Sequence, residues 1–296
     1  MTDSAPNPAT SASPDQPATP AGPDGASGGT AKKEENFFVF LVKLVAIVLA
    51  FRSFVFAPFN IPSESMLPGL ENGDYLLAAK WPYGYSRYSF PFGFPAFDGR
   101  FLTQLPRRGD VVVFRHPTED ADLIKRVVGL PGDRVQVRSG QLILNGKMIR
   151  RQPLAPVAIE VSANSPCRTV PPATPVAASV DGHTYCLYRA YLETLPGGPS
   201  YTVLDQLDSG PADDVPETVV PAGHVFLMGD NRDDSLDSRF PTYEGGVGLV
   251  PMENLIGRAA FTFWSTDGSA SWFRPWTWFT ALRTDRVGNG YTGKQS

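Results

Sequence analysis

The longest apolar run of the chain lies near its N-terminus, from Phe37 to Ala57. A helix rises about 1.5 Å per residue, so one of this length spans roughly 30 Å, the thickness of a bilayer core. Lys43 and Arg52 interrupt the run, and each lies close enough to one end to extend its charge to an interface. The pattern predicts a transmembrane anchor over residues 37–57, ended by Pro58.

Two other interpretations of this run stay open at the level of sequence. A buried or interfacial helix is one, and a removable secretory signal is the other. Pro58 directly follows the loosely signal-like triplet Val55-Phe56-Ala57 and argues against cleavage. The preceding residues 1–36 contain few large apolar side chains and predict a disordered, cytoplasmic tail, although Lys32 and Lys33 give only a weak orientation signal.

Beyond the anchor, the pattern changes to short apolar runs separated by turn residues. Ser139-Gly140 and Asn145-Gly146 are strong hairpin signals. The predicted strands are residues 75–77, 111–114, 123–128, 135–137, 142–144, 147–149, 225–228 and 259–263. Because no helix-length periodic segments alternate with them, we expect a mainly β, antiparallel domain, formed by residues 58–151 and 222–265.

Three further stretches fall outside this strand pattern. Residues 81–106 are aromatic and rich in Gly and Pro, and residues 152–221 form an insertion or second lobe. The insertion holds the only two cysteines, Cys167 and Cys186, which form either one disulfide or two free thiols. Residues 266–296 concentrate aromatic and basic side chains, a composition that suits either a membrane-proximal segment or ordinary packing.

Composition and missing motifs narrow the function. The formal net charge is -4, which argues against a nucleic-acid partner. The three histidines form no HExxH motif and the two cysteines form no C-x-x-C pair, so we expect no metal and no cofactor. No GxSxG motif and no Gly-rich phosphate loop is present.

Three segments carry candidate chemistry. In IPSESMLP, Ser63 and Ser65 share a side if the chain is extended, so one hydroxyl can attack while the other stabilises an oxyanion. In LIKRVVG, Lys125 falls within an apolar strand, where burial favours the neutral amine that a general base needs. The segment GDNRDDSLDSR, residues 229–239, is either a solvated turn or a polar network that holds a site. Taken singly, each segment has an ordinary structural explanation.

Together, and in this order after an apolar helix, the segments resemble the bacterial type I signal peptidases. IPSESMLP resembles the nucleophile box of that family, LIKRVVGLPGD its lysine box and GDNRDDSLDSR its C-terminal box, with RGDVVVF and Gly257-Arg258-Ala259 also matching. The matched segments are residues 59–79, 108–133 and 224–259. The sequence departs from the family pattern at Gly69 and at Asp234.

The resemblance implies a β-rich fold shared with self-cleaving SOS-response repressors, and a membrane-bound serine endopeptidase. Such an enzyme would remove signal peptides from preproteins after small residues (A-x-A), on the outer side of the bacterial inner membrane. Ser65 would be the nucleophile and Lys125 the general base. The implied supporting residues are Ser63 for the oxyanion, Ser235 to orient the lysine, the ion pair of Asp237 with Arg239, and Asp230 acting through Arg232.

The side chains that flank these residues are candidates for shallow pockets that accept alanine, or for plain core packing. They are Phe59, Ile61, Pro62, Met66, Leu70, Leu123 and Ile124. The implied partners are preprotein signal peptides and the lipid bilayer. Rival functions are a protease with one dedicated substrate, a non-enzymatic membrane-tethered module, and a self-cleaving regulator. The sequence leaves oligomeric state and substrate range open.

Overall fold

The computed structural model of the protein describes residues 36–167, 176–271 and 273–291. The predicted disorder of the N-terminal tail concerns residues outside the described ones, apart from Asn36. The chain divides into two compact units, residues 1–41 and 42–296.

The apolar run forms helix α1, Phe37–Phe54, whose side chains are exposed apart from Ser53. By length and composition it is the one helix of the described residues that could cross a membrane. It ends three residues before the predicted Ala57, because Phe56 already pairs with the next strand. Pro58 lies in the same strand as Phe56. This strand is at the edge of the sheet, where the missing N–H of a proline breaks no ladder.

The described residues are otherwise dominated by nineteen short strands, and all strand pairs are antiparallel. The strands are β1 Phe56–Asn60, β2 Asp74–Ala79, β3 Tyr85–Ser86, β4 Arg100–Phe101, β5 Val111–Arg115, β6 Asp122–Gly129, β7 Arg134–Arg138, β8 Gln141–Leu144, β9 Lys147–Met148, β10 Arg150–Pro153, β11 Val157–Glu160, β12 Val176–Val180, β13 His183–Tyr188, β14 Ala190–Thr194, β15 Ser200–Leu204, β16 Val215–Val219, β17 His224–Met228, β18 Val250–Pro251 and β19 Leu255–Ser265. Every strand predicted from the sequence overlaps one of these, and the mainly β fold class is confirmed.

Short helical segments fill several connections. The second α-helix is α2, Thr277–Thr280. The 3-10 helices are Trp81–Tyr83, Arg87–Ser89, Pro91–Gly93, Thr242–Glu244, Met252–Asn254 and Thr284–Arg286. Their shortness agrees with the high share of Pro and Gly, which interrupt helices.

A seven-stranded sheet carries most of the core, with strand order β1-β2-β19-β5-β6-β17-β18. The apolar side chains of β5 and β6 are almost all buried because both strands lie in the interior of this sheet. A separate four-stranded sheet, β16-β7-β8-β9, contains the two predicted hairpins. Positive φ angles at Ser139-Gly140 and Asn145-Gly146 allow these tight turns.

Most of the insertion folds into two three-stranded sheets, β10-β14-β15 and β11-β13-β12, and its last strand, β16, joins the four-stranded sheet. A disulfide joins Cys167 to Cys186, with 5.4 Å between their Cα atoms, and resolves the alternative that the sequence left open. The insertion also contacts the C-terminal box. Leu204 N–H donates to the carbonyl of Asp230 at 2.9 Å, and Arg232 N–H donates to the carbonyl of Leu204 at 2.8 Å.

The C-terminal segment has two kinds of surface. Arg283 binds Glu71 at 2.7 Å and Arg286 binds Asp74 at 2.7 Å, so these arginines attach the segment to the turn before β2. Phe273 and Phe279 are 94% and 82% exposed. Packing therefore accounts for the arginines, while contact of the aromatic rings with a membrane stays a prediction.

Candidate active site

Ser65 lies in a tight turn just after β1. The turn is closed by hydrogen bonds from Leu67 N–H to Glu64 O, 3.1 Å, and from Leu70 N–H to Met66 O, 2.9 Å. The backbone is therefore not extended through Ser65, although extension was the premise for placing the two hydroxyls on one side. The hydroxyl oxygens of Ser63 and Ser65 are nevertheless 3.4 Å apart.

Lys125 lies in the middle of β6, opposite Val112 of β5. Its Nζ donates a hydrogen bond to Ser65 Oγ at 2.6 Å, although the two residues are 60 positions apart in sequence. Both side chains are buried, with 5% of Lys125 and 7% of Ser65 exposed. The sheet and the turn thus bring together the two residues to which the sequence assigned the chemistry.

Burial lowers the pKa of Lys125 to about 8, although the carboxylates of Asp237 and Asp230 act in the opposite direction. An ammonium loses its hydration when buried, so the neutral amine is favoured relative to water. At pH 7 about one tenth of the amine is therefore unprotonated, far more than for an exposed lysine. A group with this pKa can accept a proton from a hydroxyl and later return it.

The C-terminal box holds the turn of Ser65 in place. Asn231 N–H donates to the carbonyl of Ser65 at 3.1 Å, and its side-chain amide donates to the carbonyl of Glu64 at 3.2 Å. Gly229 packs so tightly that a Cβ there would lie 2.6 Å from Ser65 O and 2.2 Å from Ser235 Oγ. Only glycine fits at this crossing without moving the backbone.

Asp237 is the centre of a buried polar network. Its carboxylate accepts hydrogen bonds from Ser235 Oγ at 2.8 Å, from Gly229 N–H at 2.8 Å and from Arg239 Nε at 2.9 Å. Burial opposes ionisation of Asp237, but Arg239 and these donors outweigh it and lower the pKa of the carboxyl. The hydroxyl of Ser235 is thus bonded to Asp237, while the amine of Lys125 is bonded to Ser65.

Asp230 and Arg232 belong to two separate ion pairs. Asp230 accepts two hydrogen bonds from Arg126, at 2.7 and 2.6 Å. Arg232 binds the carboxylate of Glu193 in the insertion, with one contact at 2.9 Å. The family resemblance implied that Asp230 acts through Arg232. In the structure the carboxylate of Asp230 binds the guanidinium of Arg126 instead.

Sequence reasoning gave no role to several residues of this network. Arg126 also lies over the ring of Tyr201, 4.1 Å from its centroid, and the Tyr201 hydroxyl donates to Glu193 at 3.2 Å. A second charge within the apolar run 123–128 was a usable signal for Arg126. Nothing in the local sequence marked Glu193 or Tyr201, because their partners are distant in the chain.

A small cavity lies beside Lys125, between β1 and the beginning of β6. Its volume is about 40 Å³. It is lined by Phe59, Asn60, Ile61, Pro62, Ser63, Val113, Asp122, Leu123, Ile124 and Lys125. Met66 and Leu70, two other candidates from the sequence, are buried in the core with Ile61 and Ile124 and do not line the cavity.

Residues 36–167, 176–271 and 273–291 contain no group of three or more His, Cys, Asp or Glu side chains arranged to hold a metal ion.

Comparison with known proteins agrees with the resemblance. Residues 35–264 match the model of the family described as signal peptidase, peptidase S26. The signal peptidase I of Rickettsia conorii (strain ATCC VR-613 / Malish 7) is 34% identical over 246 residues, and the match covers 80% of this chain and 81% of the relative. For that of Rickettsia massiliae (strain Mtu5) the identity is 36% over 249 residues, with the same coverage.

A solved structure of a signal peptidase I from Enterococcus faecalis V583 is also similar, at 22% identity and a TM-score of 0.27, covering 52% of this chain and 97% of that one. The family assignment depends on the sequence matches alone, which extend over about four fifths of the chain. The protein therefore belongs to the signal peptidase family, peptidase S26, and is a serine peptidase.

Proposed function

We propose that this protein removes N-terminal signal peptides from exported preproteins by a Ser65–Lys125 dyad, through an acyl-enzyme. The observation that carries the proposal is the 2.6 Å hydrogen bond between Lys125 Nζ and Ser65 Oγ, with both groups buried. A nucleophile in contact with a base of suitable pKa is the general requirement for covalent catalysis.

In the proposed reaction, the neutral amine of Lys125 takes the proton of the Ser65 hydroxyl as its oxygen attacks the scissile carbonyl. Lys125 then gives this proton to the leaving amine of the mature protein, and the signal peptide stays bound to Ser65 as an ester. Water, deprotonated by the same amine, attacks the ester; the amine returns that proton to the Ser65 oxygen as the ester bond breaks and the signal peptide leaves with a free carboxylate. The cycle is a Ser-Lys variant of the triad mechanism.

The developing oxyanion is stabilised by two donors in this proposal. One is the hydroxyl of Ser63, which lies 3.4 Å from Ser65 Oγ. The other is the backbone N–H of Ser65, which donates to no acceptor among the described residues. Loss of one such donor costs on the order of 100-fold or more in rate in related chemistry.

Specificity for small residues in an A-x-A pattern is supported by the cavity beside Lys125. A cavity of about 40 Å³ has room for a small side chain such as that of alanine. The first strand, β1, has pairing partners on one side only, so its free edge can bind an extended substrate. Alternate side chains of such a substrate point the same way, which fits a requirement at two positions separated by one residue.

We further propose a single-pass anchor formed by α1, with the N-terminal tail cytoplasmic and the β domain on the outer side of the bacterial inner membrane. The apolar composition of α1 supports the anchor. The exposed Phe273 and Phe279 support contact of residues 266–296 with the bilayer. The catalytic domain then comprises residues 58–151 and 222–265, with 152–221 as a second lobe.

The proposal is tested by cleavage of purified preproteins in a preparation free of host peptidase. Ser65→Ala and Lys125→Ala are each expected to abolish cleavage while the protein stays folded. Ser179→Ala and Lys147→Ala remove the same groups from exposed positions and serve as matched controls. Near-normal cleavage by either active-site variant contradicts the dyad.

Substrate range separates the proposal from its nearest rival, a protease with one dedicated substrate. The wild-type protein is expected to cleave several unrelated preproteins, each after an A-x-A sequence identified by mass spectrometry. Cleavage of a single preprotein, or cleavage after large side chains, contradicts the proposed specificity.

A further inference from the structure

A second buried lysine lies outside the proposed dyad. Lys80 directly follows β2 and is only 3% exposed. Among the described residues its ammonium forms no hydrogen bond or ion pair, and it lies over the ring of Phe59, 5.8 Å from the centroid. A buried charge normally has a partner, because loss of hydration without compensation is costly.

Lys80 faces a cavity of about 120 Å³ between the end of α1, β1 and β6. Three cationic side chains, those of Lys80, Arg52 and Arg115, line this cavity, and we call it the cationic cavity. Its volume corresponds to several water molecules, each of which occupies about 30 Å³ in the liquid, so a small tetrahedral anion fits.

The positive charge of the cationic cavity is only partly balanced. Asp122 is its one acidic lining residue and already binds Arg115, with 3.0 Å between Oδ1 and Nε. Arg52 is exposed and has no ion pair among the described residues. Arg115 also pairs with Asp120, which lies outside the cavity. The side chains of Arg52 and Lys80 are therefore the basic lining groups that have no ion pair among the described residues.

The protonation of Lys80 depends first on its burial and then on the charges around it. Burial lowers the pKa of Lys80 to about 7; Asp122 opposes this shift, and the guanidinium groups of Arg52 and Arg100 add to it. An anion in the cavity supplies the missing negative charge and favours the ammonium form.

We propose that the cationic cavity binds a phosphate group, carried either by a phospholipid headgroup or by free inorganic phosphate. Guanidinium groups bind phosphate through paired N–H donors, and an ammonium adds a point charge. Arg52 belongs to the last turn of the apolar helix, where anionic headgroups are close if α1 crosses a bilayer. The aromatic rings of Tyr88 and Phe90 also line the cavity, as suits a site at an interface.

The test is calorimetric titration of the full-length protein in a neutral detergent with two probes, inorganic phosphate and a short-chain phosphatidylglycerol. Saturable binding is expected, and it should weaken at least tenfold in Lys80→Gln and in Arg52→Gln. Lys147→Gln, an identical change at an exposed position of β9, is the matched control and should bind as the wild type does.

The two probes separate the sources of the phosphate. Binding of the lipid alone, or much tighter binding of the lipid, assigns a headgroup, whereas equal affinities assign free phosphate. If Lys80→Gln does not fold, as judged by circular dichroism, the exposed Arg52 still provides the test. The proposal is overturned if neither probe binds saturably to the wild type, or if Arg52→Gln binds with unchanged affinity.

Discussion

Replacement of Lys125 by methionine tests the energetic cost of the buried amine. The two side chains are similar in length, and methionine cannot be protonated. The pKa of Lys125 falls from its ordinary value of 10.5 to about 8 in the folded protein. One pKa unit corresponds to about 1.4 kcal/mol. At pH 7 the buried ammonium of Lys125 therefore lowers the free energy of unfolding by about 3 kcal/mol.

The sign of the pH dependence follows from proton uptake in the two states. Below pH 8, both the folded and the unfolded chain hold the proton, and the folded state bears the full cost. Between pH 8 and 10.5, the folded chain has released the proton that the unfolded chain still binds, so the cost declines. Above pH 10.5 it vanishes. The wild type thus loses its disadvantage relative to Lys125→Met as the pH rises.

The lost hydrogen bond to Ser65 offsets about 1 kcal/mol of the gain. We therefore expect Lys125→Met to be inactive but more stable than the wild type by about 2 kcal/mol at pH 7. For a domain of this size that is a rise in Tm of about 4–8 °C. Near pH 10 the advantage should be close to zero.

The assay is thermal unfolding of the full chain in detergent, followed by circular dichroism at pH 7 and pH 10. Lys147→Met, at an exposed position, is the control and should leave Tm unchanged at both pH values. A Tm difference that is the same at the two pH values, or a variant less stable than the wild type at pH 7, refutes the reasoning.

Two further variants test the supporting network. Asp237→Asn removes the charge that balances the buried Arg239, so the free energy of unfolding should fall by about 3–5 kcal/mol. Denaturant titration measures this change, and a loss below about 1 kcal/mol contradicts a structural role for the pair. Gly229→Ala places a Cβ 2.6 Å from the carbonyl oxygen of Ser65, so kcat should fall on the order of 100-fold by displacement of the nucleophile. Gly290→Ala is the control, because a Cβ there lies 3.8 Å from its nearest atom, and this variant should have normal activity. Equal rates in the two variants contradict the proposed displacement.

Local patterns were sufficient for the strands, whereas the central pair of residues also needed the family resemblance. Asn145-Gly146 predicted its hairpin because a left-handed turn there needs those residue types. Lys125 was noticeable because a charge interrupts an apolar strand. The family resemblance then related it to Ser65, which no local pattern connects to a residue 60 positions away.

The errors arose where tertiary contacts override local preference. Pro58 was expected to end the helix, yet pairing of Phe56 with Ala79 already begins the sheet. Asp230 was expected to act through its neighbour Arg232, yet the fold places Arg126 against it and brings Glu193 to Arg232. These partners lie on other strands, so one-dimensional spacing carries no information about them.

The central claim concerns the base in the reaction, and the pH profile of kcat/KM for one preprotein tests it most directly, because this ratio reports the pKa of the free enzyme. From pH 5.5 to about pH 8, kcat/KM should rise about tenfold per pH unit, because the fraction of neutral Lys125 rises in this way below its pKa of about 8. From about pH 8 to pH 10, kcat/KM should level off. A profile that does not change with pH, or one that climbs without a plateau until pH 10, contradicts a buried, neutral Lys125 as the base.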